Sequence, residues 1–484
     1  MSIAAAIAHN RFGYGLRPDE KPTGSPKRFL LEQLERFDPS PPAISAQPKT
    51  YQLAQSYDEF LRQGKKEKEA RKPLGQQANI KQAGQSEIMD GRKMARRTLR
   101  DHYTEAGNAR LLTAVRSDTD FPERLVHFWS NHFAVSAEKP VVNTFAGDYE
   151  FRAIRPHIMG KFSELLRAAV THHAMLFYLD QVQSVGPDSP LARQVKERRG
   201  RKFGLNENLA REVLELHSLG VRTGYTQADV TELARGLTGF TVAGFANGPA
   251  RRFVPETAKG GDTVFLDAIH QPGTRQLLGK SYTQTGRAQV EAMLSDLSVH
   301  PATAKHIATK LARHFVSDTP PASLITKLEK SFLETGGDLP SIYRALVESE
   351  ECWPKLWEPA WAKFKSPWDW TISSFRALNM KELPQNTNVA MTMRQMGHPV
   401  WQPESPAGFP DNMAQWAGGA ALLRRFEIAQ RIARMNRERA DARILAPQLL
   451  PGVLSAHTAE SIARAESPMQ GLSLLLISPE FLRR

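Results

Sequence analysis

Apolar residues return at intervals of three and four along most of this chain, a period that admits α-helices and excludes a β-rich fold. Phe29, Leu30, Leu34 and Phe37 do so in segment 26–37, which opens on a proline and runs into the proline-rich stretch 38–48. Segment 122–132 also opens on proline and carries Leu125, Phe128, Trp129 and His132 on one apolar stripe. Its opposite face holds Glu123, His127 and Asn131. Thr226-Gln-Ala-Asp229 has the spacing of a capping box, and Val230, Leu233, Ala234 and Leu237 follow it until Gly239. The helical period returns in 302–315, 324–333, 341–346, 420–432 and 459–477. Between 240 and 285 glycines cluster and short runs such as Arg252-Phe-Val and Thr263-Val-Phe-Leu suggest small strands or an extended loop. The segment 400–416, with Pro403, Pro406, Pro410, Trp401, Phe409 and Trp416, reads as an ordered aromatic loop. The expectation is a mainly α protein: one large multi-helical domain over 1–484, with a Gly-rich irregular or β-containing insertion at 240–285.

Such a core must stand on packing, because a single cysteine, Cys352, can form neither an internal disulfide nor a thiolate zinc site. Hydrophobic residues at 41% and charged residues at 24% exclude disordered and collagen-like classes. No apolar run approaches the roughly 18 residues of a membrane span, so a soluble protein is expected. The start Met1–His9 has no basic region ahead of its apolar stretch, so the chain as written reads as cytoplasmic; a leader removed beforehand would place it in the periplasm or outside.

The net charge of +13 points toward anionic partners. Two segments hold the whole excess, 61–100 and 193–202. The first has no interleaved aromatics to stack on bases around its basic run 63–72, so it reads as a solvated basic excursion. The second lies just ahead of the helix 206–217.

The sharp catalytic motifs are missing: no HExxH, GxSxG, phosphate-binding loop or GxGxxG after a strand is present. What stands out is a polar face on 206–217, where Asn208, Arg211, Glu212 and Glu215 share one side and Leu209, Val213 and Leu216 the other. A solvated surface with an Arg211–Glu215 ion pair accounts for that spacing as well as a site does. The histidines argue for a site: His127, His132, His157, His172, His173 and His217 fall within about 90 residues, and imidazole with carboxylate is the usual ligand set for zinc, iron or manganese. Glu212 and His217 are five apart, about 140° off on an α-helix, and so do not stack.

The stretches His127-Phe-Trp-Ser-Asn-His-Phe-Ala-Val135, His173-Ala-Met-Leu-Phe-Tyr-Leu-Asp180, 206–220, 225–239 and 401–410 resemble the bacterial domain-of-unknown-function family 1800, as do Arg313-His-Phe-Val-Ser-Asp-Thr-Pro-Pro321 and Ser478-Pro-Glu-Phe-Leu-Arg-Arg484. The likeness runs through nearly the whole chain. It implies one helical unit, and that the polar groups of 206–217 belong to the family pattern. Two positions depart from it: His270-Gln-Pro-Gly-Thr-Arg275 stands where the family tends to His-Asp-x-Gly-x-Lys, and Gln181 where Asn follows Leu-Asp.

Two functional expectations follow. In the first, an enzyme places a polar pocket between 122–132, 178–180 and 206–217. Glu212 and His217 are its catalytic pair, and together with His132 they would hold one divalent transition metal or act as acid and base. Asn131, Tyr178, Asp180, Asn206, Asn208 and Arg211 would position an anionic substrate for metal-assisted hydrolysis or oxidation. In the second, a non-catalytic scaffold holds a polyanion through its basic segments.

Overall fold

The computed structural model describes residues 3–70, 81–199, 204–246, 248–354, 362–384 and 387–484. It is mainly helical, and its strands among these residues form two small antiparallel pairs. The helices that matter for the site are α1 (Thr50–Ala70), α2 (Lys81–Arg116), α3 (Asp120–His132), α4 (Pro140–Tyr149), α5 (Phe162–Thr171), α6 (His173–Tyr178), α7 (Asn208–Glu212), α8 (Gln227–Leu237), α9 (Pro301–Phe315), α10 (Pro367–Ala377) and α11 (Gly419–Asn436). One apolar core runs from Ala6 to Leu482, so both ends of the described chain are tied into it. A satellite cluster of Val185, Leu191, Ala192, Val195, Ala250, Leu266 and Ile269 lies under the 240–270 segment. No helix among the described residues is long and apolar enough to cross a membrane.

The β-containing segment falls where its glycines suggested: β1 (Phe240–Val242) pairs with β2 (Thr263–Phe265), and β3 (Arg275–Leu277) with β4 (Lys280–Tyr282). Arg252 and Phe253 belong to a short 3-10 turn instead of a strand. The 61–100 excursion is helical where described, α1 packing along α2, with the Arg92 guanidinium 3.6 Å from the centre of the Phe60 ring. The start of the basic run 193–202 closes a helix, Pro190–Arg199; 200–203 and 71–80 lie outside the described residues.

Two expectations need correction. The segment 459–477 is two helices, Ala456–Ala463 and Pro468–Leu476, because Pro468 has no N–H to continue a helix and Ser467 caps a new one. On 206–217 the face is displaced by one residue. Leu209 and Val213 are fully buried as expected, but Leu216 is only half-buried, and Leu214 and His217 take the interior. The cause is a π turn, Val213–His217, which places one more residue in the turn than an α-helix does. Position 217 therefore stands where 216 would in an α-helix.

π turns are rare, yet two more occur among the described residues, Ala8–Phe12 and Glu150–Ile154. Each meets Asp120–His132: the first leads into Tyr14, which bonds His127, the second begins with the buried Glu150, which accepts from Ser130, and the turn Val213–His217 brings His217 beside His132.

Candidate functional site

A cavity of about 900 Å³ opens between α3, α9, the start of α10, the 398–416 loop and the C-terminal Arg484. Its first wall is α3, buried on nearly every side, so its polar residues face inward and each finds a partner. Glu123 accepts from Arg155 at 2.8 and 2.6 Å. His127 Nδ1 meets Tyr14 Oη at 2.5 Å and accepts from Trp368 Nε1 at 3.2 Å. Indole can only donate, so Nδ1 carries a lone pair and the His127 proton sits on Nε2. Burial, followed by Arg110, holds His127 well below the usual imidazole range.

Asn131 fixes the aromatic loop, donating to Phe409 O at 2.9 Å and accepting from Phe409 N at 2.7 Å. Gly408 permits this approach: at φ +82° a Cβ would lie 2.3 Å from Asn131 O. Trp401 holds a left-handed φ of 45°, costly for a bulky side chain, and is kept there by Nε1–H donating 2.8 Å to Glu150 and by its carbonyl accepting from Ala137. Glu150, fully buried at the start of its π turn, also accepts from Arg110 and Ser130.

The second wall is α9, whose His306, Thr309, Lys310, Arg313 and His314 recur at helical spacing along the cavity. Three histidines converge here: the His132 ring lies 6.4 Å from His217 and 5.9 Å from His306. His132 Nε2 donates to His217 O and His306 Nε2 to Leu216 O, leaving the Nδ1 lone pairs of both uncommitted to these bonds. Burial, with Lys310 next in effect, lowers all three, His217 to about 3 and His306 to about 4. Lys310 itself is brought down to about 8 by burial, and among the described residues its ammonium has no hydrogen bond or ion pair.

Behind this wall cations outnumber anions. Arg124, Lys363, Lys365, Arg425 and Arg484 are all buried, facing Asp369, Asp411 and Asp318. Among the described residues Arg425 has no hydrogen bond at Nε, Nη1 or Nη2, and neither has Lys365 Nζ. Both lie only over phenyl rings, Phe364 at 4.7 Å and Phe481 at 4.6 Å. Burial and then Arg124 pull Lys365 down to about 7. A buried charge left without a partner costs several kcal/mol, so this arrangement suits a site completed by an anion.

The residues singled out in the sequence divide among three places. Asn131 and His132 line the cavity, and His217 backs His132. Tyr178, Asp180 and Asn206 form a joint apart from it: Asn206 Nδ2 donates to the carbonyls of Leu179 and Asp180, and the Asp180 carboxylate pairs with Lys139 at 2.8 Å. Asn206 Oδ1 accepts from Asn208 N, turning the chain into α7, and Arg211 pairs with Glu207 and Glu215 on the surface. Glu212 is half-buried with no hydrogen bond or ion pair among the described residues; burial and then Glu215 raise its pKa. It helps push the Tyr178 phenol up to about 12, after burial. The set His132, Glu212 and His217 thus does not converge as metal ligands. Among the described residues the metal-type cluster is Asp148 with His172 and His173.

The α9 face was missed although helix 302–315 was expected, because His306-x-x-Thr-Lys-x-x-Arg-His314 reads as an ordinary solvated face until a second wall encloses it. Of the residues that depart from the family pattern, Gln181 Nε2 donates to Leu237 O at the end of α8, Gln271 Nε2 donates to Asp188 at 2.9 Å, and Arg275 pairs with Glu232 at 3.2 Å.

The family profile described as protein of unknown function, DUF1800, matches residues 7–483. The chain belongs to this family. No curated protein and no solved structure matches it, so the chemistry of this DUF1800 member is argued from its own residues.

Proposed function

We propose that the protein is an enzyme that takes a small anionic substrate into the cationic cavity and works on it by proton transfer. The observation that supports this most is the set of buried cations without hydrogen bonds, Arg425 and Lys365 foremost. A bound anion of the phosphate or carboxylate class would meet Arg124, Arg484 and Lys310 from the cavity and relieve the field behind them. Lys310, near 8, exchanges a proton close to neutral pH, and the neutral rings of His306 and His132 lie within reach of its charge. Hydrolysis and oxidation both use such groups.

A polyanion scaffold is the second reading. It is favoured by a groove lined by Arg92, Arg96, Arg100 and Arg394. Thermal unfolding at fixed ionic strength separates the two. The enzyme reading predicts that inorganic phosphate, pyrophosphate or citrate raises Tm and heparin does not. Stabilisation by heparin alone, lost when Arg92, Arg96 and Arg100 are changed to Gln, would put the scaffold reading in its place.

A further inference from the structure

Asp148 ends α4 in a buried position, and His172 and His173 occupy the corner between α5 and α6. At that corner His172 is extended, with φ −69° and ψ 138°, and the two rings lie side by side with centroids 3.8 Å apart. Both Nε2 atoms face one oxygen: Asp148 Oδ2 is 3.4 Å from His172 and 3.2 Å from His173. A tetrahedral ion with bonds of about 2.0–2.1 Å holds its ligand atoms about 3.3 Å apart, which matches the two histidine–carboxylate separations, and all three ligand atoms lie within 4.8 Å of one another. A second observation points the same way. Among the described residues His173 Nε2 is buried and forms no well-shaped hydrogen bond, although Asp148 Oδ2 lies 3.2 Å away.

We propose that Asp148, His172 and His173 bind one divalent transition ion of the zinc class, with a further coordination position open to solvent. Two neutral imidazoles and one carboxylate are a ligand set zinc uses where it keeps an exchangeable site. The carboxylate is oriented from behind by Arg152 Nε at 2.6 Å and by Thr50 Oγ1 at 3.0 and 3.2 Å. The histidines line a surface groove walled by the 255–264 loop. Gly261 lets that loop lie against α1: its φ is +92°, and a Cβ there would sit 3.0 Å from Thr50 Cγ2. In the unloaded protein His172 Nδ1 accepts from Ala174 N at 3.2 Å, so its proton is on Nε2. Loading moves that proton to Nδ1 and gives up one long hydrogen bond in exchange for a metal bond.

The site is separate from the cationic cavity and stands or falls without it. Full-length protein freed of metal with chelator is titrated with Zn²⁺ by calorimetry and with Co²⁺ by visible absorption. One equivalent of Zn²⁺ should bind, and Co²⁺ should give the intense bands of a four-coordinate site. His172→Ala and His173→Ala should each weaken binding by roughly a hundredfold or more, while His457→Ala on the surface leaves it unchanged. Absence of stoichiometric binding, or binding unchanged in both variants, would overturn the assignment. If neither variant folds, the wild-type Co²⁺ spectrum decides, an octahedral one counting against the site.

Discussion

His217, His306 and His398 titrate in the folded protein near 3, 4 and 3, each pushed down first by burial. Between about pH 6.5 and 4 the unfolded chain therefore takes up protons that the folded chain refuses. Their contribution to stability is intact above 6.5 and is lost as the pH falls through that window, at up to about 1.4 kcal/mol per histidine per pH unit, or roughly 4 kcal/mol for the three. Chemical denaturation at pH 7, 6 and 5 should show this slope; a flat response would mean the rings are wetter than the structure has them. Lys310 and Lys365 act in another window. With folded values near 8 and 7 against 10.5, they destabilise the fold while charged, and the penalty fades as the pH rises from about 7 toward 10. A bound anion would raise both values and flatten that rise.

At the scale of elements, the π turn after α7 decides which side chain reaches the core. Leu214, fully buried, should lose about 2 to 5 kcal/mol on change to Ala, whereas half-buried Leu216 at the cavity lip should lose less than about 1.5 kcal/mol. Equal losses in urea denaturation would restore the α register and remove His217 from beside His132. The same turn marks where the sequence stopped being legible. The capping box Thr226–Asp229 and the buried stripe Val230, Leu233 and Leu237 were readable because local hydrogen bonds and a single period determine them. A π turn leaves the composition of its segment unchanged and alters only the count of residues per turn, so Leu216 and His217 exchanged places without a local signal. Enclosure is equally silent. The polar faces of α3 and α9 have the spacing of solvated faces and became cavity walls only when the 398–416 loop, held by Asn131, closed over them.

For the whole molecule, the positive charge first sought in 61–100 and 193–202 has a buried share that no charge run reveals, because Arg124, Lys365, Arg425 and Arg484 come from distant parts of the chain. The chain end contributes directly: Arg484 pairs its backbone with Lys363 at 2.9 and 3.1 Å and so carries its guanidinium to Asp369. On the proposed reading the unliganded protein gives up stability for the capacity to bind an anion, and Arg425 isolates that exchange. The decisive measurement is Arg425→Met, followed by urea denaturation and by calorimetric titration with inorganic phosphate and pyrophosphate. The cavity account predicts that the variant is at least as stable as wild type without ligand, while the saturable anion binding of the wild type weakens at least tenfold. A variant destabilised by several kcal/mol, with anion binding absent from wild type and variant alike, would contradict it.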